Sequence, residues 1–228
     1  MKVGLAQVNT TVGDMEGNLQ KVSDAYARLC SGGAELVLFP ELVVCGYPPR
    51  DLLLKGRFVE ENLAALETFA AQTGGVPAMV GFVEQNGNGG GKPFFNAVAI
   101  CKDGQWSVAT RKCLLPTYDV FDEARYFEPA DSPGVVEVGG KLVGVTVCED
   151  LWNQSDKVNR QRYGEDPVQS IAGKGVDLLV NLSASPWHVG KERERENLLR
   201  QAALTCGCPV VYCNLVGGND ELIFDGQS

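Results

Sequence analysis

A layered α/β fold with mixed sheets is predicted for this 228-residue chain by three observations. Apolar, β-branched runs recur between Gly, Pro and Asn boundaries. Helical periodicities alternate with those runs at both ends of the chain. Many of the strands are almost continuously hydrophobic, which demands cover on both faces, by helices on one and by sheet or helix on the other.

The elements follow in order. "KVGLAQV" reads as the first strand, and Leu19, Val22, Tyr26 and Leu29, spaced i, i+3, i+7 and i+10, as the apolar stripe of a helix after it. "AELVLF" is the second strand, ended by Pro40, and "RFVEENLAALETFAAQ" is a helix leading to the strand "PAMVGFV". "EQNGNGGGKP" lacks the strand-to-helix context of a phosphate cradle and reads as a flexible surface loop. "NAVAICKDGQWSVATRK" reads as two strands joined by "KDGQ", whose Asp-Gly pair suits a tight hairpin turn and makes the sheet mixed. "KLVGVTV", "VDLLVNL" and "PVVYCNL" complete the strands, with "RERENLLRQAALTC" a helix between the last two.

Composition narrows the class of protein. With 44% hydrophobic and 21% charged residues the chain reads as an ordinary globular domain, one unit spanning residues 1–228. A net charge of -9 repels polyanions, so nucleic acid is not expected as a partner. No apolar run approaches the ~20 residues that span a bilayer, and "MKVGLAQVNT" is a strand pattern rather than a signal peptide; the expectation is a cytoplasmic protein without membrane contact. The eight cysteines (Cys30, Cys45, Cys101, Cys113, Cys148, Cys206, Cys208 and Cys213) sit in apolar contexts and read mainly as small buried hydrophobes. With one histidine, His188, and no C-x-x-C pair, no metal site is expected.

Three residues stand at strand ends, where open α/β sheets build their sites. Glu41 follows "AELVLFP" and is either a catalytic carboxylate or a turn carboxylate in solvent. Lys112 follows "QWSVATR" and, alone, reads as a solvated charge. Cys148 closes "KLVGVTV" and is followed by Glu149 and Asp150; a like charge at about 4 Å costs roughly 4 kcal/mol at an effective dielectric of 20, so a thiolate there needs a cation nearby. Together they fit a thiol nucleophile, a carboxylate base and an ammonium that stabilises the attacked carbonyl. A pairing of Cys148 with His188 lacks an orienting third residue.

"FPELVVCGYPPRDLL", "RKCLLPTYDVFDEARYF" and "VCEDLW", in this order, resemble the nitrilase (carbon–nitrogen hydrolase) superfamily with its Glu-Lys-Cys triad. More narrowly, "CGYPPRDLL", "LPTYDVFDEARYF", "CEDLW", "NLSASPWHVGKERER" and "FDGQS" are similar to the glutaminase domains of glutamine-dependent NAD synthetases. The resemblance covers essentially the whole chain. It implies a four-layer αββα sandwich with mixed sheets, Glu41 as general base, Lys112 as stabiliser of the tetrahedral intermediate, Cys148 as nucleophile and Glu123 as a second carboxylate that also pairs with Lys112. For an L-glutamine substrate it implies Tyr118, Glu149, Trp152 and Ser185, with Glu149 for the ammonium, and either Lys191 or Arg195 for the carboxylate. "KERERE" also reads as a solvated, salt-bridged helix start.

No cofactor is implied for this domain itself. ATP, Mg²⁺ and deamido-NAD are implied only for a C-terminal synthetase domain, whose Ser-Gly-Gly-x-Asp-Ser loop is not in the sequence. The resemblance further implies a homo-oligomer and a domain that is incomplete at Ser228. Two other readings stay open: a free-standing amidase or carbamoylase with the same triad, and a catalytically silent docking or assembly domain.

Overall fold

The computed structural model describes residues 1–87, 89–152, 163–164 and 166–228. One sheet has the order β1 (Val3–Leu5), β2 (Leu36–Leu38), β3 (Ala78–Gln85), β4 (Phe94–Lys102) and β5 (Gln105–Arg111). Its first three strands are parallel and the rest antiparallel. The other sheet has the order β6 (Gly134–Val138), β7 (Lys141–Val147), β8 (Leu178–Ser183) and β9 (Val210–Asn214), with only the β6–β7 pair antiparallel. The mixed character expected from the "KDGQ" hairpin is present: Asp103 and Gly104 have φ values of 51° and 79°, the two positive angles a tight primed turn requires.

Side-chain alternation stacks the layers. Leu36 and Leu38 of β2 point into a core shared with Val143, Val145 and Val147 of β7 and Leu178, Val180 and Leu182 of β8. Val37 and Phe39 point the other way, against Val22 of α1 (Met15–Ser31) and Leu66 and Phe69 of α2 (Phe58–Ala71). On the far side, Leu179 meets Val168 and Ile171 of α3 (Pro167–Ala172) and Ala202 of α4 (Lys191–Cys206). The result is the αββα sandwich. Both faces of the central strands are covered, which is why their sequence runs are apolar throughout.

Three strands depart from the sequence reading. β6, "GVVEV", is mostly half-exposed and too short to stand out. β10 (Val216–Asn219) and β11 (Leu222–Asp225) form a separate antiparallel ribbon, and "VGGN" carries no apolar period to announce it. The six-residue α3 is likewise too short to show a helical period; Asp166 caps it, accepting from the N–H groups of Val168 and Gln169. The glycine-rich segment joins β3 to β4; Asn88 within it lies outside the described residues. Among the described residues no helix is long and apolar enough to cross a membrane.

Candidate active site

Glu41, Lys112 and Cys148 all leave their strands at the carboxyl end, and the two-sheet stacking brings them together. Glu41 and Lys112 are buried, and the Lys112 ammonium donates to Glu41 Oε1 at 2.6 Å and to Glu123 Oε1 at 2.9 Å. Burial opposes the charged lysine, but Glu123 and Glu41 outweigh it and hold Lys112 well above the usual ammonium range. Burial pushes the Glu123 carboxyl up, with Lys112 opposing and Glu41 adding to the rise.

The cluster is held by groups the sequence did not single out. The Asn96 amide on β4 donates to Glu41 Oε1 at 2.8 Å, and the Ala184 N–H donates to Glu41 Oε2 at 2.9 Å. The Tyr47 hydroxyl donates to Glu123 Oε1 at 2.7 Å. Asn96 is the one polar residue inside an apolar strand, a usable signal; Tyr47 in "CGYPPRDL" offers none, because its partner lies 76 positions away.

β7 ends at Val147, so Cys148 opens a short 3-10 turn, Cys148–Leu151, rather than closing the strand. Its φ of 39° lies in the left-handed region, unfavourable for a residue with a side chain and typical of strained functional turns. Burial pushes the thiol well above its ordinary range; Glu41 adds to the rise, Lys112 opposes it, and Glu149 and Glu123 contribute further. The carboxylates do disfavour a thiolate, as expected from the sequence, but desolvation comes first and Glu41 outranks Glu149.

Cys148 lies on the wall of a cavity of ≈360 Å³, which Tyr118, Glu149, Trp152, Ser185 and Lys191 also line. The Tyr118 hydroxyl stands 2.9 Å from both Glu149 oxygens, and the Tyr163 hydroxyl 3.0 Å from Oε1. Tyr163 was not anticipated. The Lys191 ammonium sits 3.6 Å above the centre of the Trp152 ring. Burial pulls the Lys191 pKa down, Arg195 adds to this, and Cys148 and Glu194 oppose it. The Ser185 N–H is held by Asn214 Oδ1 at 2.9 Å. A neighbouring cavity of ≈450 Å³ reaches Tyr47 and Glu123 but not Cys148, so the smaller one is the substrate candidate.

Arg195 departs from both readings of "KERERE". It is buried rather than solvated, is not part of the cavity wall, and its two terminal nitrogens donate to Asp225 at 3.2 and 3.1 Å. Of the two basic residues left open for a carboxylate, only Lys191 faces the cavity. His188 does line it, with Nε2 3.7 Å from Glu194 and Nδ1 3.1 Å from the Val189 carbonyl oxygen. All eight cysteines are free thiols, and among the described residues no cluster of three or more His, Cys, Asp or Glu is arranged to hold a metal ion.

The model of the carbon–nitrogen hydrolase family matches residues 2–228. Over 231 residues the chain is 44% identical to a glutamine-dependent NAD(+) synthetase of Thermotoga maritima, covering 100% of this chain and 38% of that protein. The structure of a glutamine-dependent NAD+ synthetase from Acinetobacter baumannii, solved with adenosine diphosphate, superposes with a TM-score of 0.86 at 36% identity, covering 98% of this chain and 40% of that one. An amidase from Nesterenkonia sp. superposes with a TM-score of 0.80 at 25% identity, covering 99% and 80%. The chain therefore spans about two fifths of the length of the synthetases it matches (38% and 40%).

Proposed function

The chain belongs to the carbon–nitrogen hydrolase family, and from that premise we propose that it hydrolyses the side-chain amide of glutamine, as the ammonia-supplying part of a glutamine-dependent NAD synthetase. The observation that carries this reading is the combination of a cysteine facing a buried carboxylate–ammonium pair with an anion, Glu149, and a cation, Lys191, on the wall of the same cavity. Glutamine presents both an α-ammonium and an α-carboxylate. Glutamine brings a cation and an anion of opposite sign to Glu149 and Lys191, charges that a simple aliphatic amide lacks, which favours glutamine over a free-standing amidase substrate.

In this mechanism Cys148 Sγ attacks the amide carbon while its proton passes to Glu41. The tetrahedral oxyanion is stabilised by Lys112 and by the backbone N–H that follows Cys148, each such donor being worth about 3 kcal/mol. Collapse breaks the C–N bond, and Glu41 returns the proton to the departing ammonia, leaving a thioester on Cys148. Water then attacks the thioester with Glu41 as base, releasing glutamate and the thiol. Glu149, steadied by Tyr118 and Tyr163, holds the substrate ammonium; Lys191 takes the carboxylate, with Ser185 and Trp152 shaping the walls. Glu123, itself held by Tyr47, keeps the Lys112 ammonium in place for the developing oxyanion. Use of the ammonia, with ATP, Mg²⁺ and deamido-NAD, would fall to a synthetase domain, and assembly into a homo-oligomer belongs to the same proposal.

Ammonia release from glutamine tests the reading. The wild-type protein is expected to release ammonia and to form a thioester detectable by mass, and Cys148→Ala to lose both. If glutamine is inert while small aliphatic amides or N-carbamoyl compounds turn over, the amidase reading replaces this one.

A further inference from the structure

Asp150 is fully buried two residues beyond the nucleophile and takes no part in the cavity wall. Its Oδ1 accepts the backbone N–H groups of Cys113 and Leu114 at 3.0 and 2.9 Å, and its Oδ2 accepts the N–H of Val147 at 2.9 Å. Cys113 and Leu114 directly follow Lys112; Val147 directly precedes Cys148. The segments so joined leave β5 and β7, which belong to different sheets and share no ladder hydrogen bonds. One planar side chain thus spans the seam between the sheets at the point where the ammonium and the thiol must meet.

We propose that Asp150 is a positioning residue: its carboxylate fixes the separation of Lys112 and Cys148, and so controls how readily the Cys148 thiol ionises. The inference rests on the roles given above to those two residues. Backbone N–H groups bonded to a buried carboxylate form charge-assisted bonds, short and directional, and in a water-free interior they tolerate little displacement. Burial pushes the Asp150 carboxyl up to about 7 against the pull of Val147, Leu114, Lys112 and Cys113, so the chain keeps an ionisable group here against its own desolvation. A residue that only filled space would carry no such penalty. Lys112 is the nearby cation that favours the thiolate of Cys148, so loosening the tie weakens that help.

The test is the pH profile of Cys148 alkylation by iodoacetamide, followed on the Cys148 peptide by mass spectrometry without glutamine. In Asp150→Asn an amide N–H replaces one acceptor and faces the backbone donors. Alkylation at pH 8 is expected to slow at least about tenfold, the equivalent of one pKa unit, in protein that remains folded by circular dichroism. For glutamine hydrolysis, kcat is expected to fall in parallel with KM little changed. Loss of the charge alone works the other way, because removing a nearby anion favours the thiolate. Alkylation as fast as or faster than wild type therefore overturns the proposal. If Asp150→Asn does not fold, replacing the Leu114 peptide N–H by an ester oxygen removes one bond and keeps every side chain; a slowing of about threefold is expected, and an unchanged profile overturns the proposal. Should the wild-type protein be alkylated at Cys148 yet leave glutamine intact, the glutaminase reading fails, while the alkylation comparison still decides the role of Asp150.

Discussion

Cys148 is placed where a thiolate is hard to form. Burial and Glu41 raise its pKa, and Lys112 alone among the leading influences lowers it; in the proposed mechanism the thiol ionises only as Glu41 takes its proton. The folded protein holds that proton more tightly than the unfolded chain. Cys148 therefore costs no stability while both states are protonated, and destabilises the fold as pH rises past the unfolded thiol value of about 8.5. Alkylation of Cys148 in the unliganded protein is expected to have its midpoint above that value; a midpoint well below it would show an ion pair with Lys112 already formed. At this scale the sequence marked Glu41, Lys112 and Cys148 by their places at strand ends, and the structure brings the three together. It was silent for Tyr47, Tyr163 and Asp150, whose roles depend on partners brought in from 76, 14 and as many as 37 positions away.

Strands also position the site by how closely their backbones approach. A Cβ added to Gly81 of β3 would stand 2.4 Å from Leu42 N, 2.5 Å from Pro40 O and 2.8 Å from Glu41 C, so β3 presses directly on the turn that presents Glu41, the proposed base. One added to Gly144 of β7 would meet Ile171 Cγ2 of α3 at 2.7 Å, on the side away from the catalytic cluster. Gly81→Ala and Gly144→Ala are both expected to destabilise by about 1–3 kcal/mol in denaturant titration, the usual cost of overpacking. Only Gly81→Ala should also lower kcat, by at least about tenfold, because it displaces Glu41. Equal activity in the two folded variants would mean that the Glu41 turn adjusts freely. Neither contact is visible in a sequence, where both glycines read as ordinary members of apolar runs. The hairpin at Asp103–Gly104 and the layered α/β character were legible because turn chemistry and two-sided burial leave local signatures, while the αββα order followed only from the family resemblance; β6, β10 and β11 were not legible, because short, half-exposed or glycine-rich strands leave almost none.

Across the whole molecule, the segment after β9 binds the two halves of the sandwich together. The Val216 N–H donates to Val8 O at 3.3 Å, the Ser228 N–H to Gln7 Oε1 at 2.8 Å, and the Asn214 N–H to Ser228 Oγ at 2.9 Å. The β10–β11 ribbon also closes the proposed substrate cavity with Glu221 and Leu222, and Phe224 meets the Tyr47 ring edge-on at 6.1 Å. What fastens the ribbon to α4 is the Arg195–Asp225 pair, with side-chain exposures of 4% and 13%. Because α4 begins at Lys191, this pair fixes the cation of the cavity relative to the opposite wall without touching the cavity itself. Removing one partner leaves the other charge buried and uncompensated, so Arg195→Ala and Asp225→Ala are each expected to cost about 3 kcal/mol, near the lower end for buried pairs because Asp225 keeps some water contact. The double variant should fall short of the summed losses by at least about 1 kcal/mol, the mark of a direct interaction. Both single variants are also expected to raise KM for glutamine more than they lower kcat, since they loosen the wall that holds the substrate rather than the Glu41–Lys112–Cys148 cluster. Additive stability losses would show that the two residues act independently, and an unchanged KM would separate the ribbon from substrate binding.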